Sequence, residues 1–310
     1  LSRRGAYHKT AVYTQADIRA FIEYAFQRGI RVVPEFDIPA HTASWGKGYP
    51  ELTIPCPRLV NADRLGNIHM VEHGIDLVGM HPLKESTYTF LGEFLPEVFE
   101  LFPDTYIHFG GDEVNKECWR KDPDVAAFAA KHGKQWASKL QWIFTERVLA
   151  LASAAGKKPI FWDEALSTIP SDASIPDGTI IQWWRAGAKT VPSQVQRRGM
   201  HLVQSTGWYL DHVWIPWDKM YTTTHLSDFG GEACSWSEHQ DASNIDDRIF
   251  RNVPALAERL WSSDDFTKMS RRNMRQTAHR FGIQLCRLRK RMGIRVRPAF
   301  PDFCGIAAVA

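Results

Sequence analysis

Apolar positions along this chain fall into two alternating rhythms. Ile18, Phe21, Ile22 and Ala25 recur at helical spacing behind Thr14, a good N-cap with Asp17 at the third helical position, and Gly29 ends that helix. Ile30-Arg31-Val32-Val33-Pro34-Glu35-Phe36-Asp37 follows, a short β-branched run that closes on acids. Leu91, Phe94, Leu95 and Val98 predict a helix over 87–101, with Pro96 as its kink or start. Residues 106–109 predict a strand that ends at Asp112-Glu113. Leu140, Ile143, Phe144, Val148 and Leu151 mark a helix that Gly156 stops. Strands are predicted at 159–162, ending at Asp163-Glu164, at 179–184 and at 201–205, with a short helix near 189–198 between the last two. Trp208-Tyr209-Leu210-Asp211 comes next, and 229–236 is the last strand-like segment, ending near Glu238. Residues 246–261, interrupted by Pro254, and 265–292 read as helices, while 39–85, rich in Pro, Gly and His, read as a long excursion over a site.

Strand, loop with site-like residues, then helix: this order repeats about six times and argues for a parallel sheet. Acids and tryptophans stand at the C-terminal end of each strand, which is the layout of an α/β (β/α)₈ barrel. A doubly wound sheet is the alternative, but it would more often carry a Gly-rich phosphate turn after its first strand, and none is present.

Composition narrows the function. The 310 residues carry a net charge of +3, too small to argue for nucleic acid. Arg271, Arg272, Arg287, Arg289, Lys290 and Arg291 interleave with apolar residues, as on the wet face of a helix. No apolar run reaches the length of a bilayer and no N-terminal signal segment is visible. The first residue is Leu, as in a processed or incomplete chain, and no Asn-x-Ser/Thr sequon occurs. Tryptophan is abundant, at 12 residues; about half suit core positions, and several stand beside acids after strands, where indole faces suit sugar rings. The five cysteines (Cys56, Cys118, Cys234, Cys286, Cys304) show no CxxC spacing, which speaks against a zinc ribbon or a thioredoxin-type motif.

Ile107-His108-Phe109-Gly110-Gly111-Asp112-Glu113 is the most informative stretch. Two adjacent acids at the end of a buried strand are costly to ionise together, so a fold that places them there shifts their pKa values apart for different roles. Glycines before them allow a sharp turn and close approach of a ligand. Alone, Gly-Gly-Asp-Glu also reads as a polar turn at a strand end. The rest of the chain resembles the family-20 β-N-acetylhexosaminidases, particularly the lysosomal type. The resemblance runs over Arg28 to Asp37, Pro39-Ala40-His41-Thr42, Ser44-Trp45-Gly46-Lys47-Gly48, His108 to Val114, Trp162-Asp163-Glu164, Gly207 to Asp211, Gly230 to Glu238, and Glu258-Arg259-Leu260-Trp261-Ser262.

The resemblance implies retaining, substrate-assisted removal of terminal β-linked N-acetylglucosamine or N-acetylgalactosamine from oligosaccharides and glycoconjugates, without a cofactor or metal. It implies that Glu113 is the general acid and then the base, and that Asp112, kept ionised, orients the 2-acetamido group. Trp162, Trp184 and Trp236 would wall the pocket, Tyr209 would bond the acetamido oxygen, and Asp211 and Glu238 would hold sugar hydroxyls. His41 would sit beside Glu113 and tune it, with Asp37 in support. By itself His41 reads as a loop histidine on a backbone carbonyl, Trp184 reads as core with Trp183 outward, and Glu35 reads as structural. The resemblance further implies Cys56–Cys118 and Cys286–Cys304 disulfides, with Cys234 a buried thiol beside the site, a lysosomal or secreted protein, no membrane span, and a homodimer to which the C-terminal region contributes.

The chain departs from the family at its start. Relatives carry two further barrel strands there, with an arginine for sugar hydroxyls and an aspartate that pairs with the histidine matched by His41; the expectation is therefore a partial barrel, about strands 3 to 8 over residues 1–310, with weak activity or none on its own. His81-Pro82 stands where relatives have an amide or acid before proline. Two further readings compete: a sugar-binding remnant without turnover, and a metal-dependent barrel hydrolase built on Asp37, His41, His108 and Asp112, which lacks a His-x-His or His-Glu-x-x-His signature.

Overall fold

The computed structural model describes residues 1–56, 60–62, 68–70, 78–236, 240–298 and 304, with backbone alone at 60–62, 68–70 and 264. It divides into two compact units: residues 1–181 with 197–200, and residues 182–196 with 201–310.

In the first unit the helix Gln15–Phe26 begins with a capping box, in which Thr14 accepts from the Asp17 amide and Asp17 from the Thr14 amide. Gly29, at φ +71°, supplies the left-handed turn that ends it. Residues 34–38 then run parallel to β3 (Tyr106–His108), with Phe36 N donating to His108 O at 2.9 Å and His108 N to Pro34 O at 2.9 Å. The strand expected over 30–37 is therefore an extended segment joined to its neighbour at one bridge, Glu35 to His108. The excursion after it holds a short antiparallel hairpin of β1 (Val60–Ala62) and β2 (Ile68–Met70). Helix Glu85–Leu101 contains Pro96 and buries Leu91, Leu95, Val98 and Phe99 on one face. Helix Trp136–Ala154 buries Leu140, Phe144, Val148 and Ala152 at four-residue spacing and is stopped by Gly156 at φ +67°. It leads into β4 (Lys158–Trp162), parallel to β3, and the start of β5 (Ile180–Trp183) follows in strand order. Helix Pro123–His132, which the apolar pattern did not announce, starts on the Asp122 cap. Ile54, Trp119, Val125 and Leu140 form a cluster beneath it, and Cys56 is bonded to Cys118.

In the second unit the end of β5 is followed by β6 (His201–Gln204). The segment expected as a strand at 229–236 is reduced to one bridge, Gln204 to Gly231. Here Gly231 lies against Trp208, leaving no room for a Cβ. Two helices stand where 246–261 was expected, Ile245–Phe250 and Val253–Trp261, the second with Pro254 in its first turn. The helix expected at 265–292 is likewise two, Asp264–Arg272 and Met274–Met292. Asn273 breaks it because its side chain caps the second helix through the Gln276 amide. Phe281, Leu285 and Leu288 pack with Tyr221, Ala255 and Val296, and Cys286 is bonded to Cys304. Among the described residues no helix is long and apolar enough to cross a membrane.

Leu140 is fully buried within its cluster. Leu140→Ala is expected to cost roughly 2–5 kcal/mol through lost contacts and a residual cavity. Thr14→Ala, which removes only the cap, is expected to cost about 1 kcal/mol. Urea midpoints of the two variants check the order; equal midpoints would overturn it.

Candidate active site

Three neighbouring segments of the first unit run in parallel and end together. Ile38 N bonds Phe109 O, Phe109 N bonds Ile160 O, and Trp162 N bonds Gly110 O. Their C-terminal ends carry Asp37 with His41, Asp112 with Glu113, and Trp162, which is where open and closed parallel sheets place ligands. Asp37 joins the first two. One carboxylate oxygen meets His41 Nδ1 in a short contact, and the other accepts from Gly111 N at 3.1 Å. A Cβ on Gly110, whose φ is +66°, would run into that carboxylate, so the first glycine of the pair makes the approach possible. His41 Nε2 lies 3.4 Å from Glu113 Oε2. Asp37, expected in support of this histidine, thus meets it directly from four residues before it.

Both His41 (φ +53°) and Glu113 (φ +49°) occupy the left-handed region, which costs non-glycine residues energy. Asp112 is only 9% exposed, and its Oδ1 has no hydrogen-bond partner among the described residues. Gln141, a polar residue on the buried face of its helix, donates from Nε2 to Gly111 O at 2.9 Å and fixes the turn. Trp162, expected as a pocket wall, is 2% exposed; its indole N–H donates to Glu35 at 2.8 Å and its ring lies against His108. Glu35 therefore orients Trp162. Glu35 read as structural from its own surroundings, since its indole partner stands 127 residues away.

The charges are strongly coupled. Burial alone would lower His41, but hydrogen bonds to Asp37 and Glu113 prevail and push the imidazole up to about 11. Burial, then the charge of Asp37, drives Asp112 up to about 9, against the pull of His41. The hydrogen bond with His41 holds Glu113 below the usual carboxylate range. This order is the reverse of the expected one: Asp112 holds the proton and Glu113 is ionised. The reason is that the buried member is the first acid of the pair, whereas the second faces the imidazolium. Ligand atoms of Asp37, His41 and Asp112 lie within 4.8 Å of one another, close enough to hold a cation. A metal there would have to displace a proton that His41 keeps to about pH 11. His108, the fourth residue of the metal reading, instead accepts from Gly110 N through Nδ1 at 2.9 Å.

In the second unit the structure brings Trp184, Tyr209, Asp211 and Trp236 together. Trp184 lies against Tyr209, with centroids 5.7 Å apart, while Trp183 is the buried neighbour. Trp236 Nε1 donates to Tyr209 Oη at 2.9 Å, and its backbone N–H to Asp211 at 2.8 Å. Gln240, which the motifs did not single out, donates to the other oxygen of Asp211 at 3.1 Å. Cys234 is buried, with its thiol 3.5 Å from Glu232 Oε1. Glu238 lies outside the described residues.

Two titrations follow. His41 is expected to remain imidazolium at about pH 9, and Asp37→Asn to bring its titration down toward the ordinary histidine range, read from imidazole chemical shifts. Asp112 has a folded pKa above its unfolded value of about 4, so its contribution to stability is lost as pH rises from there through about 9. Asp112→Asn should therefore raise the unfolding midpoint at about pH 9 and leave it nearly unchanged at about pH 4. A midpoint shift independent of pH would sink the assignment.

Residues 1–228 and 214–264 match the family model described as glycosyl hydrolase family 20, catalytic domain. Human β-hexosaminidase subunit beta is 37% identical over 98% of this chain and 54% of its own length. The bovine subunit alpha is 33% identical over 98% of this chain and 57% of its own length. Among solved structures, the chitobiase of Flavobacterium johnsoniae superposes with a TM-score of 0.73 at 27% identity, over 93% of this chain and 43% of that one. The chain spans about half the length of the curated relatives it matches. With its parallel strands, intervening helices and acids at the strand ends, it has the α/β barrel fold of these proteins and belongs to glycosyl hydrolase family 20.

Proposed function

We propose that the protein is a β-N-acetylhexosaminidase that removes terminal non-reducing N-acetylhexosamine with retention, the substrate's own acetamido oxygen acting as nucleophile. The observation that carries this reading is the buried Asp112 carboxyl, its Oδ1 unpartnered among the described residues, beside a Glu113 coupled through His41 to Asp37. An acetamido N–H would satisfy that orphan oxygen. As the acetamido oxygen attacks the anomeric carbon, the group gains positive charge; that charge favours release of the resting Asp112 proton to solvent, and the carboxylate left behind stabilises the positive group in turn.

Glu113 protonates the leaving oxygen in this reading, and afterwards takes a proton from water. It must therefore first receive a proton. His41 is the neighbour that can hand one over, from Nε2, with Asp37 holding the imidazole by Nδ1. Tyr209 bonds the acetamido oxygen, Asp211 takes sugar hydroxyls, and the faces of Trp184 and Trp236 flank the ring. Trp162 contributes from behind, as a buried ring oriented by Glu35. Two disulfides suit an oxidising compartment, in keeping with a lysosomal or secreted protein. The names of the curated relatives, β-hexosaminidase subunits, support the same reaction class.

The test is release of 4-methylumbelliferone from its β-N-acetylglucosaminide and β-N-acetylgalactosaminide, and turnover of an N-acetylglucosamine disaccharide. Glu113→Gln is expected to slow the disaccharide, whose leaving group needs protonation, by about 100-fold or more while leaving affinity nearly intact. The activated aryl substrate should suffer less in the bond-breaking step. Disaccharide hydrolysis at the unmodified rate by Glu113→Gln would remove the acid assignment. Tight binding without turnover by the unmodified protein would leave a sugar-binding protein instead.

A further inference from the structure

Gln141 is a long polar side chain on an apolar helix face. Leu140, Phe144 and Val148 of Trp136–Ala154 are buried, and Gln141 is buried with them, at 4% exposure. Glutamine is seldom found so deep, because a buried amide costs stability unless it is hydrogen-bonded. A methionine of similar size would fill the same space without that cost. What the amide does there is donate from Nε2 to Gly111 O at 2.9 Å, across 30 residues of chain.

That carbonyl belongs to the peptide that leads into Asp112. A peptide is planar, so the direction of Gly111 C=O also sets the direction of the Asp112 N–H, which points the opposite way. The Asp112 amide is one of the groups that favour its own ionised carboxylate. Gly111, at φ +90°, accepts a wide range of ψ, so the residue itself does not fix the plane of this peptide. The rest of the turn is held from other sides. Gly111 N donates to Asp37 Oδ1 at 3.1 Å, and Gly110 O accepts from Trp162 N at 2.9 Å. Three elements thus grip the two glycines, and Gln141 grips the peptide that carries Asp112.

We propose that Gln141 is a positioning residue for the hydrolysis: by holding the 111–112 peptide it aims the Asp112 carboxyl at the acetamido group and, next in the chain, Glu113 at the leaving oxygen. It acts through these two acids and so rests on the hexosaminidase reading of the pair. An amide that served packing alone would stabilise the fold without favouring the transition state. One that aims the acids changes rate more than substrate affinity.

Two substitutions separate aim from packing. Gln141→Met keeps the volume and removes the donor. Gln141→Glu keeps the shape but donates only while the introduced carboxyl holds its proton, and burial raises that carboxyl above its ordinary pKa of about 4.3. Turnover of a β-linked N-acetylglucosamine disaccharide is measured against pH, well below the unfolding temperature of each variant. Gln141→Met is expected to lower kcat by about 10- to 100-fold at every pH, with KM within about 2-fold. Gln141→Glu, taken relative to the unmodified protein at the same pH, should approach full rate in acid and fall to the Gln141→Met level as the introduced carboxyl ionises. An unchanged kcat in Gln141→Met, with a lower unfolding midpoint alone, overturns the proposal, as does an equal loss at all pH values in Gln141→Glu. Calorimetry with N-acetylglucosamine and with its thiazoline, whose fused ring mimics the cyclised acetamido group, makes the same comparison without turnover. Gln141→Met should weaken the thiazoline by about 10-fold or more and the monosaccharide by about 2-fold or less; equal weakening of the two overturns the aim. If the unmodified protein neither hydrolyses the disaccharide nor prefers the thiazoline, the hexosaminidase reading itself fails and the positioning role falls with it, an outcome separate from a Gln141→Met variant that behaves as the unmodified protein does.

Discussion

The first unit's site depends on one carboxylate. Asp37 holds the His41 imidazole with one oxygen and the Gly111 amide with the other, and it occupies the space a side chain at residue 110 would need. Through these contacts the position of one extended segment fixes the turn on its neighbour. Remove the carboxylate and three things loosen together: the histidine, the Gly-Gly turn, and the acid pair that the turn carries. Parallel alignment of 34–38 on β3 makes the contact possible, because it brings two strand ends to the same level.

The same carboxylate also sets the charges. A buried acid next to another negative charge holds its proton, which is the state of Asp112, while a half-exposed acid beside an imidazolium gives its proton up, which is the state of Glu113. The arrangement stores one proton on Asp112 and one on His41, and leaves Glu113 empty. On the proposed reading, a substrate that develops positive charge at Asp112 would reverse the balance there, so the order of proton holding in the resting protein need not match the order at the transition state.

Local signals in the sequence carried far. The Thr14–Asp17 capping box, the stops at Gly29 and Gly156, and the apolar faces of Glu85–Leu101 and Trp136–Ala154 all depend on residues within one or two turns, and they were legible. Asn273 was missed because the apolar period runs through it, and only the side-chain cap shows that the helix restarts. The segment expected as a strand at 229–236 has aromatic residues at its two ends and mostly small residues between them, but ladder formation depends on a partner edge and leaves one bridge, at Gly231. At the site, the acid pair and the aromatic residues stood out by their pattern. Glu35 did not, because its partner is an indole 127 residues away. Asp37 and His41 stood out only through the family resemblance, because their contact comes from a left-handed turn at His41, which periodicity does not encode.

That strained turn has a counterpart at Glu113, and the two together argue for their purpose. A non-glycine residue in the left-handed region costs of order 1 kcal/mol or more, and glycine at either position would relieve it. The chain spends glycines freely nearby, at 110 and 111, where backbone approaches a neighbour. At 41 and 113 it keeps an imidazole and a carboxylate instead, facing each other at 3.4 Å. Strain retained at both ends of one ion pair, next to a pair of glycines, is difficult to explain as packing. It is explained if holding these two side chains face to face is what the turns exist for.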